Sequence, residues 1–192
     1  MIPVRTGVAA AALALLATGC GGPGQDQTTS AVTPAPPPST PRTPEPTTSP
    51  APANKARVPA TLEFSARTLD GAAFQGASLA GKPVAFWFWA PWCPKCLSEA
   101  PAVKAAAGQY SEIAFVGVAG LDTEAAMKEF VQRTGTGHLV HLSDVKGAVW
   151  TKLGVSEQST FVFMKPDGST EKAAGPLSQD ELDAHLRELL GR

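Results

Sequence analysis

The chain has only three cysteines in 192 residues, and two of them stand three positions apart. So few thiols exclude a disulfide-stapled scaffold. There is no strong charge of either sign. From Val58 onward, 12 Lys and Arg stand against 15 Asp and Glu, a net of −3. With no basic stripe, nucleic acid is not expected as a partner. No apolar run is long enough for a stable membrane span; Val8 to Ala17 falls well short. No internal repeat is visible, which excludes a solenoid.

What is present centres on Trp92-Cys93-Pro94-Lys95-Cys96. The preceding Val84-Ala85-Phe86-Trp87-Phe88-Trp89-Ala90 is an apolar run of strand length. The segment after it, from about Leu97 to Gln109, is rich in helix formers. The pair therefore lies where a buried strand gives way to a helix. A thiol there meets free N–H groups and the positive end of the helix dipole. That stabilises the thiolate, lowers the thiol pKa and makes a nucleophile near neutral pH. The second cysteine is close enough to close a disulfide. This is the chemistry of thiol–disulfide exchange; an inert structural disulfide is the plain alternative.

Residues 1–19 read as an export signal, with Arg5 followed by the apolar run. The sequence Leu16-Ala17-Thr18-Gly19-Cys20 resembles a bacterial lipoprotein signal, which implies lipid attachment at Cys20 and a membrane anchor. A plain secretory signal with a spare cysteine is the alternative. On the lipoprotein reading Cys20 goes to lipid, Cys93 and Cys96 pair, and export places the pair in an oxidising compartment. Residues 20–57 are dominated by Pro, Thr, Ser, Ala and Gln and offer little to a core. They are expected to form a disordered tether that reaches on the order of 100 Å when extended. Residues 58–192 form the folded domain.

Within that domain, Leu62 to Thr68 alternates like a half-buried strand, and Asp70-Gly71 turns it towards Ala73-Phe74. After the cysteines comes a helix that Pro101 is expected to kink. Ile113 to Ala119 reads as a buried strand, and Asp122 as the cap of the next helix. His138 to Leu142 reads as a strand, and Lys146 to Leu153 as a short helix ended by Gly154. Pro166-Asp167-Gly168 joins two hairpin strands, Thr160 to Met164 and Ser169 to Ala174. Ser178 and Glu181 form a capping box for the last helix. Strands alternating with helices, then a hairpin and a helix, predict an α/β layered domain built on a central mixed sheet.

These residues resemble a known family. Trp-Cys-Pro-x-Cys after an aromatic strand, Glu99 and Pro101, Gly117-Val118, Gly154-Val155 and the Pro-Asp-Gly hairpin are similar to extracytoplasmic thioredoxin-like proteins. Trp87-Phe88-Trp89-Ala90-Pro91-Trp92-Cys93, Gly117 to Asp122 and Ser178 to Leu182 resemble the DsbE/DsbF-type oxidoreductases of the TlpA/ResA group. The resemblance runs from about Pro59 to the C-terminus and implies the thioredoxin fold. It also brings out two departures. Thioredoxins carry a buried Asp where this chain has Trp87; Glu99, about one turn past Cys96, is a possible substitute base, or else an ordinary solvated side chain. The family's cis-proline position, in the loop facing the cysteines, falls on Ser159, followed by Thr160. A cis bond before a non-proline residue costs roughly 2.5–4 kcal/mol, so Gln158–Ser159 is expected to be trans.

Cys93 is read as the attacking cysteine, at the first helical position with Pro94 and Lys95 beside it, and Cys96 as the resolving one. Trp92 is read as lining the substrate surface, or as plain packing. Trp87, Phe88, Trp89 and Trp150 are read as core. No cofactor and no metal site is expected: His138 and His141, at odd spacing in a strand, point to opposite faces. Expected partners are protein thiol or disulfide substrates and a membrane protein that recycles the pair. The preferred reading is an exported oxidant for protein folding. The alternatives are a reductant of apocytochrome c thiols, and a non-enzymatic metal-binding lipoprotein that uses the cysteines as ligands.

Overall fold

In this computed structural model, residues 57–192 are described; the segments read as an export signal and, but for Arg57, as a tether lie outside them, and so does Cys20. The sheet is built around β3 (Val84–Trp89), an uninterrupted apolar strand with all six residues buried. β3 pairs in parallel with β4 (Ala114–Ala119), which pairs in parallel with β5 (Val140–Ser143). Antiparallel strands complete the sheet on both sides. β1 (Ser65–Thr68) and β2 (Ala73–Gln75) lie beyond β5, and β6 (Thr160–Met164) and β7 (Thr170–Ala174) lie beyond β3. The order is β2-β1-β5-β4-β3-β6-β7. With helices on both faces, this is a thioredoxin-like fold.

Strand alternation divides the core in two. Ala85, Trp87 and Trp89 face α1 (Pro94–Gln109), α2 (Glu124–Thr134) and α4 (Gln179–Leu189), packing with Ala100, Val103, Met127, Phe130, Leu182 and Leu186. Val84, Phe86 and Phe88 face the other way, onto Val116, Val118, Leu142 and the short α3 (Ala148–Lys152). Trp150 of α3 meets Phe88 edge-on, ring centres 5.6 Å apart, and is core as read. The capping box of Ser178 and Glu181 is formed. α1 continues on both sides of Pro101. No described helix is long and apolar enough to cross a membrane.

Several element ends differ from the sequence reading. Leu62 closes a 3-10 turn, donating its N–H to Pro59 O at 2.8 Å, instead of opening β1; the fixed φ of Pro59 starts that turn. α2 begins one residue later than read, so Thr123 caps it and Asp122 only accepts the Thr123 N–H. His138 precedes β5 in a turn closed by Leu139 N–H to Thr136 O, so it shares no strand with His141. α3 is shorter than read, because Gly147, at φ +70°, stands before its first turn.

Candidate active site

The cysteine pair sits at the C-terminal end of β3, where a four-residue connection, Ala90 to Cys93, leads into α1. Cys93 and Cys96 are disulfide-bonded, with Cα atoms 5.3 Å apart. Cys93 is the N-cap of α1, not its first helical residue as read from the sequence. Its Sγ accepts the Cys96 backbone N–H at 3.0 Å, so a free N–H of the first turn is spent on sulfur. Pro94 occupies the first helical position, where a missing N–H leaves no gap. Cys93 keeps 3 % of its surface exposed and Cys96 none.

The exposed side chains beside the pair include three large apolar ones. Trp92 is 55 % exposed and is steadied by Nε1–H donating to Leu121 O at 3.2 Å. Leu121 is itself exposed and takes a left-handed backbone, φ +62°, unusual for a branched residue. Leu97, also exposed, follows in the first turn of α1. Plain packing therefore does not account for Trp92. Lys95 is exposed on the same turn.

One helical turn along α1 from Cys96 lies a buried carboxyl group. Glu99 is 2 % exposed, which excludes the solvated helix-face reading. Its Oε1 accepts Trp87 Nε1–H at 2.6 Å and the hydroxyl of Ser159; its Oε2 accepts Leu177 N–H at 3.1 Å. Burial pushes the Glu99 pKa above the usual carboxylate value; these hydrogen bonds and the charge of Lys95 pull it part of the way back. Trp87 is core, as read, but its indole also fixes the carboxylate. Sequence patterning marks a buried tryptophan by its neighbours and says nothing of where its N–H points. Leu177, donating from the β7–α4 connection, carried no signal at all.

The Gln158–Ser159 bond is cis, contrary to the expected trans form. Ser159 is held on both sides: its carbonyl accepts Gly175 N–H at 2.8 Å and its hydroxyl donates to Glu99. Ser159 is buried. Thr160 closes the same loop through its hydroxyl to Glu157 O at 2.7 Å and begins β6 opposite Phe88.

The histidines do not join the cysteines. His138 is exposed; His141 is buried, with Nε2 against Thr136 O at 3.0 Å. Among the described residues, Glu171, His185 and Glu188 bring three potential ligand atoms within 4.8 Å of one another. Two of these are exposed carboxylates, and His185 Nδ1 already contacts Glu171 at 3.2 Å.

A disulfide on a helix N-terminus, beside exposed apolar side chains, is equipped for disulfide exchange, and known proteins agree. The model of the AhpC/TSA family matches residues 57–172. Soluble secreted antigen MPT53 of Mycobacterium tuberculosis is 40% identical over 131 residues, 67% of this chain and 75% of that protein. Thiol-disulfide oxidoreductase ResA of Oceanobacillus iheyensis is 30% identical over 132 residues, 67% of this chain and 68% of its own length. Among solved structures, MTB DsbF is 48% identical with a TM-score of 0.67, covering 69% of this chain and 98% of that one. A secreted disulfide oxidoreductase of Mycobacterium tuberculosis, homologous to E. coli DsbE, follows at 40% identity and 0.64, covering 67% and 97%. The chain belongs to the AhpC/TSA family and is a thiol-disulfide oxidoreductase of the DsbE, DsbF and ResA type.

Proposed function

We propose that the protein is an exported, lipid-anchored oxidant that introduces disulfides into other proteins through Cys93 and Cys96. The observation that carries this is the Cys96 N–H on Cys93 Sγ at the start of α1. A thiolate released there is stabilised by the helix N-terminus. Stabilising the reduced form makes the disulfide the stronger oxidant. The secreted relative MPT53 and the export signal read from residues 1–19 favour an extracytoplasmic site of action. Anchoring rests on the lipoprotein pattern ending at Cys20.

A substrate thiolate attacks Cys93 Sγ; a substrate–Cys93 disulfide forms and the Cys93–Cys96 bond breaks. Its electron pair leaves on Cys96, which takes a proton from Glu99 in its acid form, the form that burial favours. The substrate's second thiolate then attacks the sulfur bound to Cys93. The substrate disulfide closes, and Cys93 leaves as the thiolate at the head of α1. Two electrons have passed to the pair, and a membrane partner must remove them. Trp92, Leu97 and Leu121 offer an apolar surface to an unfolded chain. Run backwards, with Glu99 as base for the Cys96 thiol, the same steps reduce a substrate, which is the activity that apocytochrome c maturation requires.

The test is the pair of single variants. Cys93→Ser is expected to abolish exchange with a reduced peptide dithiol. Cys96→Ser is expected to accumulate a mixed disulfide at Cys93, visible by mass. Full activity in Cys93→Ser contradicts the scheme.

A further inference from the structure

The three donors on Glu99 come from three places in the fold: Trp87 on β3, Ser159 just ahead of β6, and Leu177 between β7 and α4. They differ chemically. An indole N–H and a backbone N–H only donate, whereas a hydroxyl both donates and accepts. While Glu99 is a carboxylate, all three serve it. Once it takes a proton, one oxygen becomes a donor, and a buried donor needs an acceptor. Of the three partners, only Ser159 Oγ can accept. Gly175 packs directly behind: a Cβ there would lie 2.5 Å from Glu99 Oε2 and 2.8 Å from Ser159 Oγ.

We propose that Ser159 is a positioning residue whose hydroxyl donates to the Glu99 carboxylate and turns to accept from the carboxylic acid, so that Glu99 can hold and return the Cys96 proton. This rests on the reading of Glu99 as the proton partner of Cys96, its neighbour one turn back on the same helix face. In the closing step, the Cys96 S–H gives its proton to Glu99. The electron pair left on Cys96 forms the Cys93–Cys96 bond as the substrate–Cys93 bond breaks. The substrate leaves as a thiolate, and the Ser159 hydroxyl reverses its hydrogen bond.

The charged and titratable surroundings are few. Lys95 acts on Glu99 from α1. Cys93 and Cys96 are disulfide-bonded. β3 presents Trp87, and the 175–177 connection brings Gly175, Pro176 and Leu177, none of them charged. Glu157 in the loop is exposed, and Glu181 at the head of α4 is engaged by Ser178.

The experiment follows oxidation of the reduced protein by oxidised glutathione, read by tryptophan fluorescence from pH 4 to 9. Wild type, Ser159→Ala, Ser159→Thr and Glu99→Gln are compared, with circular dichroism as the check on folding. Loss of a donor to a carboxylate raises its pKa. Ser159 bonds both forms of Glu99, the carboxylate more strongly because that bond is charge-assisted, so Ser159→Ala is expected to move the Glu99-controlled limb of the rate profile upward by about one pH unit. Ser159→Thr keeps the hydroxyl and is expected to keep the wild-type profile; Glu99→Gln loses the limb. If Ser159→Ala matches wild type while Glu99→Gln loses the limb, Ser159 has no such part. If Glu99→Gln keeps the limb, the reading of Glu99 itself is wrong and the proposal falls with it.

Discussion

At the scale of single residues, this protein moves a carboxylate from strand to helix. Where thioredoxins hold an Asp on the central strand, Trp87 stands here, and its indole N–H grips Glu99 from α1. His141 shows how closely the same core is fitted. It lies opposite Gly117 of β4, where a Cβ would run into the imidazole. With its Nε2 on Thr136 O, the ring is buried, and burial pushes its pKa down to about 4. An unfolded chain protonates the same side chain near pH 6.5. Between those values the unfolded state binds the extra proton, so acid favours unfolding. The His141 contribution is complete above about pH 6.5 and lost as pH falls to about 4, a change on the order of 3 kcal/mol. Urea unfolding at pH 7 and pH 4.5 should show a smaller acid loss in His141→Asn than in wild type. An equal loss in both would mean that the imidazole is not held neutral by the fold.

At the scale of elements, the pieces legible in the sequence were those whose signal is local. β3 announced itself by an unbroken apolar run, α4 by its capping box, the hairpin by Pro166-Asp167-Gly168, and the active-site turn by Cys93-Pro94-Lys95-Cys96. What was not legible depends on partners far apart in the chain. Glu99 reaches Ser159, 60 residues on, and Leu177, 78 residues on, so nothing near Glu99 marks it as buried. The cis Gln158–Ser159 bond is illegible for the same reason, since the groups that hold Ser159 lie on α1 and after β7. The start of α3 is a further case. Asp144, at the end of β5, takes the N–H groups of Ala148, Val149 and Trp150 at 2.8–2.9 Å. One buried carboxylate thus satisfies three donors of a helix only five residues long. Asp144→Ala is expected to destabilise the domain by about 2 kcal/mol, read as a lower urea midpoint. A midpoint unchanged from wild type would mean that water replaces the carboxylate at no cost.

At the scale of the molecule, the parallel strands β3 and β4 deliver Trp92 and Leu121 to the same end of the sheet, where the connections after β3 and β4 meet around the disulfide. α/β sheets gather ligands at that end of their strands. The antiparallel β6–β7 hairpin closes the other side and carries Ser159 and the 175–177 connection under α1. The fold therefore puts a helix N-terminus against one sulfur and a caged carboxyl group one helical turn along α1 from the other cysteine. The central claim is that this arrangement favours the reduced pair and makes the disulfide an oxidant. The equilibrium of Cys93–Cys96 with a glutathione redox series, followed through the fluorescence of Trp92, tests it most directly. A reduction potential at or above about −180 mV is predicted. A value at or below about −270 mV would contradict the claim and assign the protein to the reducing branch of the same chemistry.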